Sequence, residues 1–152
     1  MGCVARLSPV EIDIFLTSAS PDQQAIVRTL RQIITQRADG LAERVNTGKW
    51  LKGYLFYEGP GDEMVFAIGL TAARTVTLHL MPYYGSRELQ DRYGTTLGPF
   101  QVGKSCLRFA DPAKLPAGAI GAVADAAPGY LEIVTAMRSR PRRRGSKRPA
   151  DG

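Results

Sequence analysis

The sequence predicts an α+β fold: two N-terminal helices, an antiparallel sheet of about five strands, and short C-terminal helices packed on it. Three observations predict it. Two helix-start signatures stand in the first third, SPVE at 8–11 and SPDQ at 20–23. Past Trp50 the apolar period shortens from that of a helix to that of a strand. The strand-like runs there are joined by links too short for a crossover, which makes their pairing antiparallel.

Each element follows in order. SPVE and SPDQ are capping boxes with proline at the first helical position, where its missing N–H costs nothing. In the second helix Ile26, Leu30, Ile33 and Ile34 form one apolar stripe, and the helix should fade near Gly40. YLFY at 54–57 and EMVFAIG at 63–69 flank EGPGD, so they read as a hairpin with a longer loop. TVTLHLM at 75–81 alternates strictly, with Val76, Leu78 and Leu80 on one face and Thr77 and His79 on a polar face. SRELQDRYG is a short helix from Ser86 that Gly94 should stop. SCLRF at 105–109 is a further strand. The alanine-rich stretch 118–137 is helical in pattern but interrupted by Pro128-Gly129, giving two short helices.

With 152 residues, 44% of them hydrophobic, the chain suits one domain with a core, expected over 8–137. Residues 1–7 are expected as a flexible lead and 138–152 as a disordered basic tail. The stretch 138–152 holds seven of the twenty Lys/Arg and one of the fourteen Asp/Glu, leaving thirteen of each in the remainder. The net charge of +6 therefore belongs to the tail, and the folded part exerts no overall pull on nucleic acid. No apolar run approaches the ~20 residues of a bilayer span, and 1–13 lack a secretory pattern. Gly2 and Cys3 suggest lipidation, but Arg6 stands where myristoylation wants Ser or Thr. Cys3 and Cys106 make no disulfide framework. Together these predict a soluble, cytoplasmic protein.

GPFQVGKS at 98–105 matches the phosphate-loop pattern G-x-x-x-x-G-K-[ST]. Such a loop joins a buried strand to a helix N-terminus. Here polar, helix-like residues precede it, and the strand-like CLRF follows, with only forty-seven residues after Ser105. The match is read as fortuitous, and no residue is assigned a catalytic role.

The same region carries another pattern. An aromatic strand runs from Gly53-Tyr54 to Tyr57. After it come Ile68-Gly69, Arg74, the alternating 77–80, Met81-Pro82-Tyr83-Tyr84-Gly85, Leu97-Gly98, and Gly103-Lys104-Ser105-Cys106-Leu107. In this order the residues resemble the YdhG-like domain family of unknown function, in its branch with the Gly-Lys-Ser-Cys-Leu pentapeptide. The resemblance covers roughly residues 8–127. It departs near Trp50, where Gly48 stands two residues ahead of the tryptophan, and the spacing to Gly53 is short. It implies a bacterial-type cytosolic domain of a family proposed to include an iron chaperone, so iron enters by resemblance only. Hard cations want oxygen ligands, and Glu11, Asp13, Asp22, Asp62 and Glu63 do not form a dense acidic ridge.

Candidate ligand-binding residues are Trp50, Tyr57, His79, Tyr83, Tyr84, Lys104, Ser105 and Arg108. The aromatic groups, with Tyr54, could line a cleft between the loop at Tyr83-Tyr84 and the strand start at Lys104-Ser105. Core packing is their plainer explanation. His79, the one histidine, titrates near neutrality, or is simply a half-exposed strand residue. Lys104 and Arg108 could hold an anion, or be a solvated lysine and a paired arginine. The expected function is non-enzymatic binding of a small ligand or metal. The alternative is a nucleic-acid-associated protein using Arg138, Arg140, Arg142, Arg143, Arg144, Lys147 and Arg148, whose phosphate contacts would weaken steeply with salt.

Overall fold

The structure, a computed structural model, describes residues 4–139. Helix α1 (Pro9–Phe15) begins at a capping box: Ser8 Oγ accepts from the Glu11 amide, and the Glu11 side chain accepts from the Ser8 amide. Ser20 and Gln23 repeat the arrangement at α2 (Pro21–Arg37). These bonds satisfy amides that have no partner within the helix. Ser20→Ala should accordingly cost about 1 kcal/mol, seen as a lower urea midpoint at unchanged slope. The α2 stripe buries Ile26, Val27, Leu30 and Ile34, with Ile33 at its margin. The helix ends at Arg37, close to the expected Gly40.

The sheet has six strands: β1 (Ala42–Val45), β2 (Leu55–Gly59), β3 (Glu63–Leu70), β4 (Val76–Leu80), β5 (Gln101–Val102) and β6 (Cys106–Phe109). Their order is β1-β2-β3-β4-β6-β5, and every neighbouring pair is antiparallel. The fold is thus α+β with an open antiparallel sheet. The strands without a sequence expectation are β1, whose AERV centres on two charges, and β5, whose two residues show no period.

Between β4 and β5 the chain forms α3 (Met81–Tyr84) and α4 (Arg87–Leu97). Two expectations are corrected here. Tyr83-Tyr84 lie on a helical turn, with Pro82 near its start, rather than in a loop. Gly94 does not stop α4. A helix-interior glycine costs only ~1 kcal/mol, and continuing to Leu97 buries that side chain completely. Two closing helices follow, α5 (Ala117–Asp125) and α6 (Ala127–Ser139), with the break at Ala126 and Pro128 inside the first turn of α6.

One face of the sheet carries Leu55, Tyr57, Phe66, Ile68, Val76, Leu78, Leu80, Leu107 and Phe109. These pack with α2 and α5 into a single core. The lead segment is not loose where it is described. Ala5 O accepts from the Glu43 amide (2.8 Å), Leu7 N donates to Glu43 Oε1 (2.9 Å), and Arg6 donates to the Leu41 and Asp39 carbonyls. No helix among the described residues is long and apolar enough to cross a membrane.

Candidate functional site

The second face of the sheet lacks a helical cover and is built in two rows by strand register. One row runs Arg44, Phe56, Ala67, His79, Cys106, Val102 across β1, β2, β3, β4, β6 and β5. The adjacent row runs Gly69, Thr77, Arg108, with Tyr54 just ahead of β2. The middle strand contributes only Ala67 and Gly69, so the face is a trough between larger neighbours. A Cβ on Gly69 would lie 2.2 Å from Tyr54 Cζ, which places the tyrosine ring directly on the glycine backbone.

The trough is roofed by the link from β1 to β2. Asn46 gathers this link. Its Nδ2 donates to Trp50 O (2.6 Å) and Leu51 O (3.2 Å), and its Oδ1 accepts from the Gly48 amide (3.2 Å). Its backbone exchanges bonds with Tyr54 O and Gly53 N, each 2.8 Å. The turn requires positive φ at Leu51 (52°) and Gly53 (84°). Glycine adopts this freely, but at leucine it stores on the order of 1 kcal/mol. The result holds the Trp50 ring centroid 6.3 Å from both Phe56 and His79, edge-on to each, while Trp50 remains 62% exposed. Tyr54 lies 5.9 Å from His79, and the Arg44 guanidinium sits 5.1 Å over Phe56.

His79 is at the centre. Sequence alternation placed it on a polar face; it is 8% exposed, and Thr77 is 6% exposed. For His79 the reason is the aromatic roof, which alternation cannot reveal. His79 Nδ1 is buried without a hydrogen-bond partner, the one such side-chain atom among the described residues. An orphaned buried polar group costs about 1–3 kcal/mol. Burial also pushes the imidazole pKa below its ordinary 6.5. The unfolded chain then binds the proton more readily, so stability should fall as pH drops from about 6.5 through the lower folded value. His79→Gln should remove that part of the slope in urea titrations between pH 7 and 5. Persistence of the full slope would place its source elsewhere.

The expected cleft is only partly assembled. Trp50, His79 and Arg108 share the second face. Arg108 is exposed, and no carboxylate among the described residues pairs with it. Tyr84 is half-buried and donates to the Cys106 carbonyl (3.4 Å); burial, then Cys106 and Tyr83, push its hydroxyl up to about 12. Tyr83 packs into the core, edge-on to Tyr84 at 5.0 Å, and does not line the face. Tyr57 is in the core on the opposite side, donating to Glu43 Oε2 (2.6 Å). Lys104 and half-buried Ser105 lie in the 103–105 turn between β5 and β6, with Gly103 at φ 68°. GPFQVGKS is therefore a 3-10 turn, a two-residue strand and a hairpin turn leading into β6. Arg138 pairs with Glu63; Arg140, Arg142, Arg143, Arg144, Lys147 and Arg148 lie outside the described residues, as does Cys3.

Sequence reasoning missed Asn46, Tyr54 as the lid of Gly69, and Cys106 as His79's cross-strand neighbour. Among the described residues no three His, Cys, Asp or Glu groups could together hold a metal ion. A separate groove of about 520 Å³ lies between α4 and α6, lined by Pro82, Leu89, Tyr130, Ile133, Val134 and Met137. It is mainly apolar, and no unpartnered polar side chain is buried in it.

No family model, no curated protein and no solved structure matches this chain.

Proposed function

We propose that the protein is a YdhG-like, non-enzymatic cytosolic domain that binds a small planar ligand on the second sheet face. The observation that carries this is the unpartnered, buried His79 Nδ1 beneath an aromatic roof whose tryptophan is itself exposed. A ligand that moves Trp50 aside or slides beneath it can supply the missing hydrogen bond, and aromatic stacking adds about 0.5–1.5 kcal/mol. The pattern residues support the family reading through the work they do: Gly53 and Gly103 occupy positive φ, and Gly69 accepts the Tyr54 ring.

A binding role is favoured over catalysis by the state of the thiol that lies beside a base. Cys106 and His79 are cross-strand partners, yet the thiol donates to Val102 O (2.8 Å), and burial pushes its pKa up, partly offset by Arg108. Burial pushes His79 the opposite way. Both groups are thereby held neutral, whereas a cysteine nucleophile works as thiolate. Iron handling stays the weaker reading, since donors do not cluster.

The chain has one tryptophan, so its emission, excited selectively over the six tyrosines, reports this face. Titration with planar heterocycles, ferrous iron and magnesium nucleotides should shift Trp50 emission with a planar compound, and His79→Phe should weaken that binding. A thermal shift with no emission change would move the site elsewhere. A response to ferrous iron alone would restore the iron reading.

A further inference from the structure

We infer that the ligand of this face is anionic: a planar ring carrying a phosphate or carboxylate, with the ring against Trp50 and the anionic group on Arg108. This rests on the reading of the second face as a binding site. The folded residues have balanced charge, but the charge is not evenly spread. Arg44 and Arg108 project from this face by strand register, as their neighbours Leu107 and Phe109 on β6 and Glu43 on β1 are buried in the core. Lys49 and Lys52 bracket Trp50, and Lys104 stands two residues before Cys106; all three are exposed. Against these stand Glu58, which is already engaged by the Arg44 guanidinium through both oxygens, and Asp62, whose charge also acts on Arg44.

Arg108 is the cation best placed to select. It is paired across the ladder with Thr77, and it is the diagonal neighbour of His79, whose direct partner is Cys106. Diagonal neighbours on one face lie about 7–8 Å apart. That is the reach of one aromatic ring and a single attached anionic group. A guanidinium stays charged at any working pH and offers a planar fork that fits phosphate and carboxylate oxygens. The face thus offers a flat apolar contact, an unfilled hydrogen-bonding nitrogen and an unpaired fork at adjoining positions.

The test uses the full chain at near-physiological salt, reading Trp50 emission. Adenosine monophosphate is compared with adenosine, and benzoate with benzamide. In one pair at least, the anion should bind about 10-fold or more tightly than its neutral counterpart, and which pair does so separates phosphate from carboxylate. Arg108→Gln should reduce that anion to the level of its neutral counterpart and leave the neutral compound unchanged. Arg108 is exposed, so the variant is expected to fold, and an unaltered melting temperature checks this. Equal binding within both pairs, or a preference that survives Arg108→Gln, overturns the inference while leaving the binding face intact. If none of the four compounds perturbs Trp50, the inference and the reading beneath it both fall.

Discussion

Glu43→Leu should destabilise the fold by about 3–5 kcal/mol, the loss typical of removing one partner from a buried ion pair. The Glu43 side chain has no exposed surface. It accepts from Arg31 Nε (2.8 Å) and Nη2 (2.9 Å), from the Tyr57 hydroxyl (2.6 Å) and from the Leu7 amide (2.9 Å). Leucine would leave three sets of donors unpaired at the junction of α2, β1 and β2. At ~2–4 °C per kcal/mol for a domain of this size, melting should fall by on the order of 10 °C. Combining Glu43→Leu with Arg31→Met and Tyr57→Phe should recover most of the loss, because the cost lies in stranded partners. A single-variant loss under about 1 kcal/mol would mean water reaches the site.

The same group sets an acid limit. Burial would raise the Glu43 carboxyl pKa, but the Arg31 fork, the Tyr57 hydroxyl, the Leu7 amide and the Arg31 charge outweigh it and hold it below the ordinary 4.5. A lowered carboxylate contributes stability that is complete above about 4.5 and is lost as pH falls through the folded value. Glu43→Gln should flatten unfolding free energy against pH in that window. The His79 contribution lies higher, below about 6.5, so the two variants should separate on the pH axis.

Gly69→Ala should cost about 1–3 kcal/mol, the range for forcing extra volume into a packed site. The new methyl would meet Tyr54 at 2.2 Å, and the ring would have to leave its seat beside His79. The loss should therefore be coupled. In a Tyr54→Ala background the same substitution should be neutral, or stabilising by up to ~1 kcal/mol, as alanine loses less entropy in a strand than glycine. Urea unfolding of the four proteins completes the cycle. Additive losses would show that the tyrosine does not occupy the glycine.

Much of this architecture is legible before any coordinates. The two capping boxes, the Ile26–Leu30–Ile34 stripe and the alternation of Val76, Leu78 and Leu80 are local patterns, and the structure keeps all three. What escaped depends on register. In YLFY, alternation separates Tyr54 and Phe56 from Leu55 and Tyr57, but only pairing with β3 and β1 shows which pair shares the face of His79 and which that of Glu43. His79 reads as a half-exposed strand residue because a roof supplied from the β1–β2 link leaves no trace in the strand it covers. β1 escaped because its central Glu and Arg are charged, although each finds a partner in the fold. Candidate residues were thus sorted correctly by element more often than by face.

The margins of the sheet bear on how copies of the chain treat one another. An open sheet invites endless recruitment of strands at its borders. Here one border is β5, two residues long, which gives an incoming strand almost nothing to zip onto. At the other, β1 spends its outward Glu43 amide on Ala5, while Arg6 clasps the carbonyls of Leu41 and Asp39. Residues 5–7 thereby occupy the outer edge of β1, and the carboxylate that holds the Leu7 amide is the one that braces the interior. The edge cover and the interior brace thus meet at one residue, Glu43, through its backbone amide and its carboxylate.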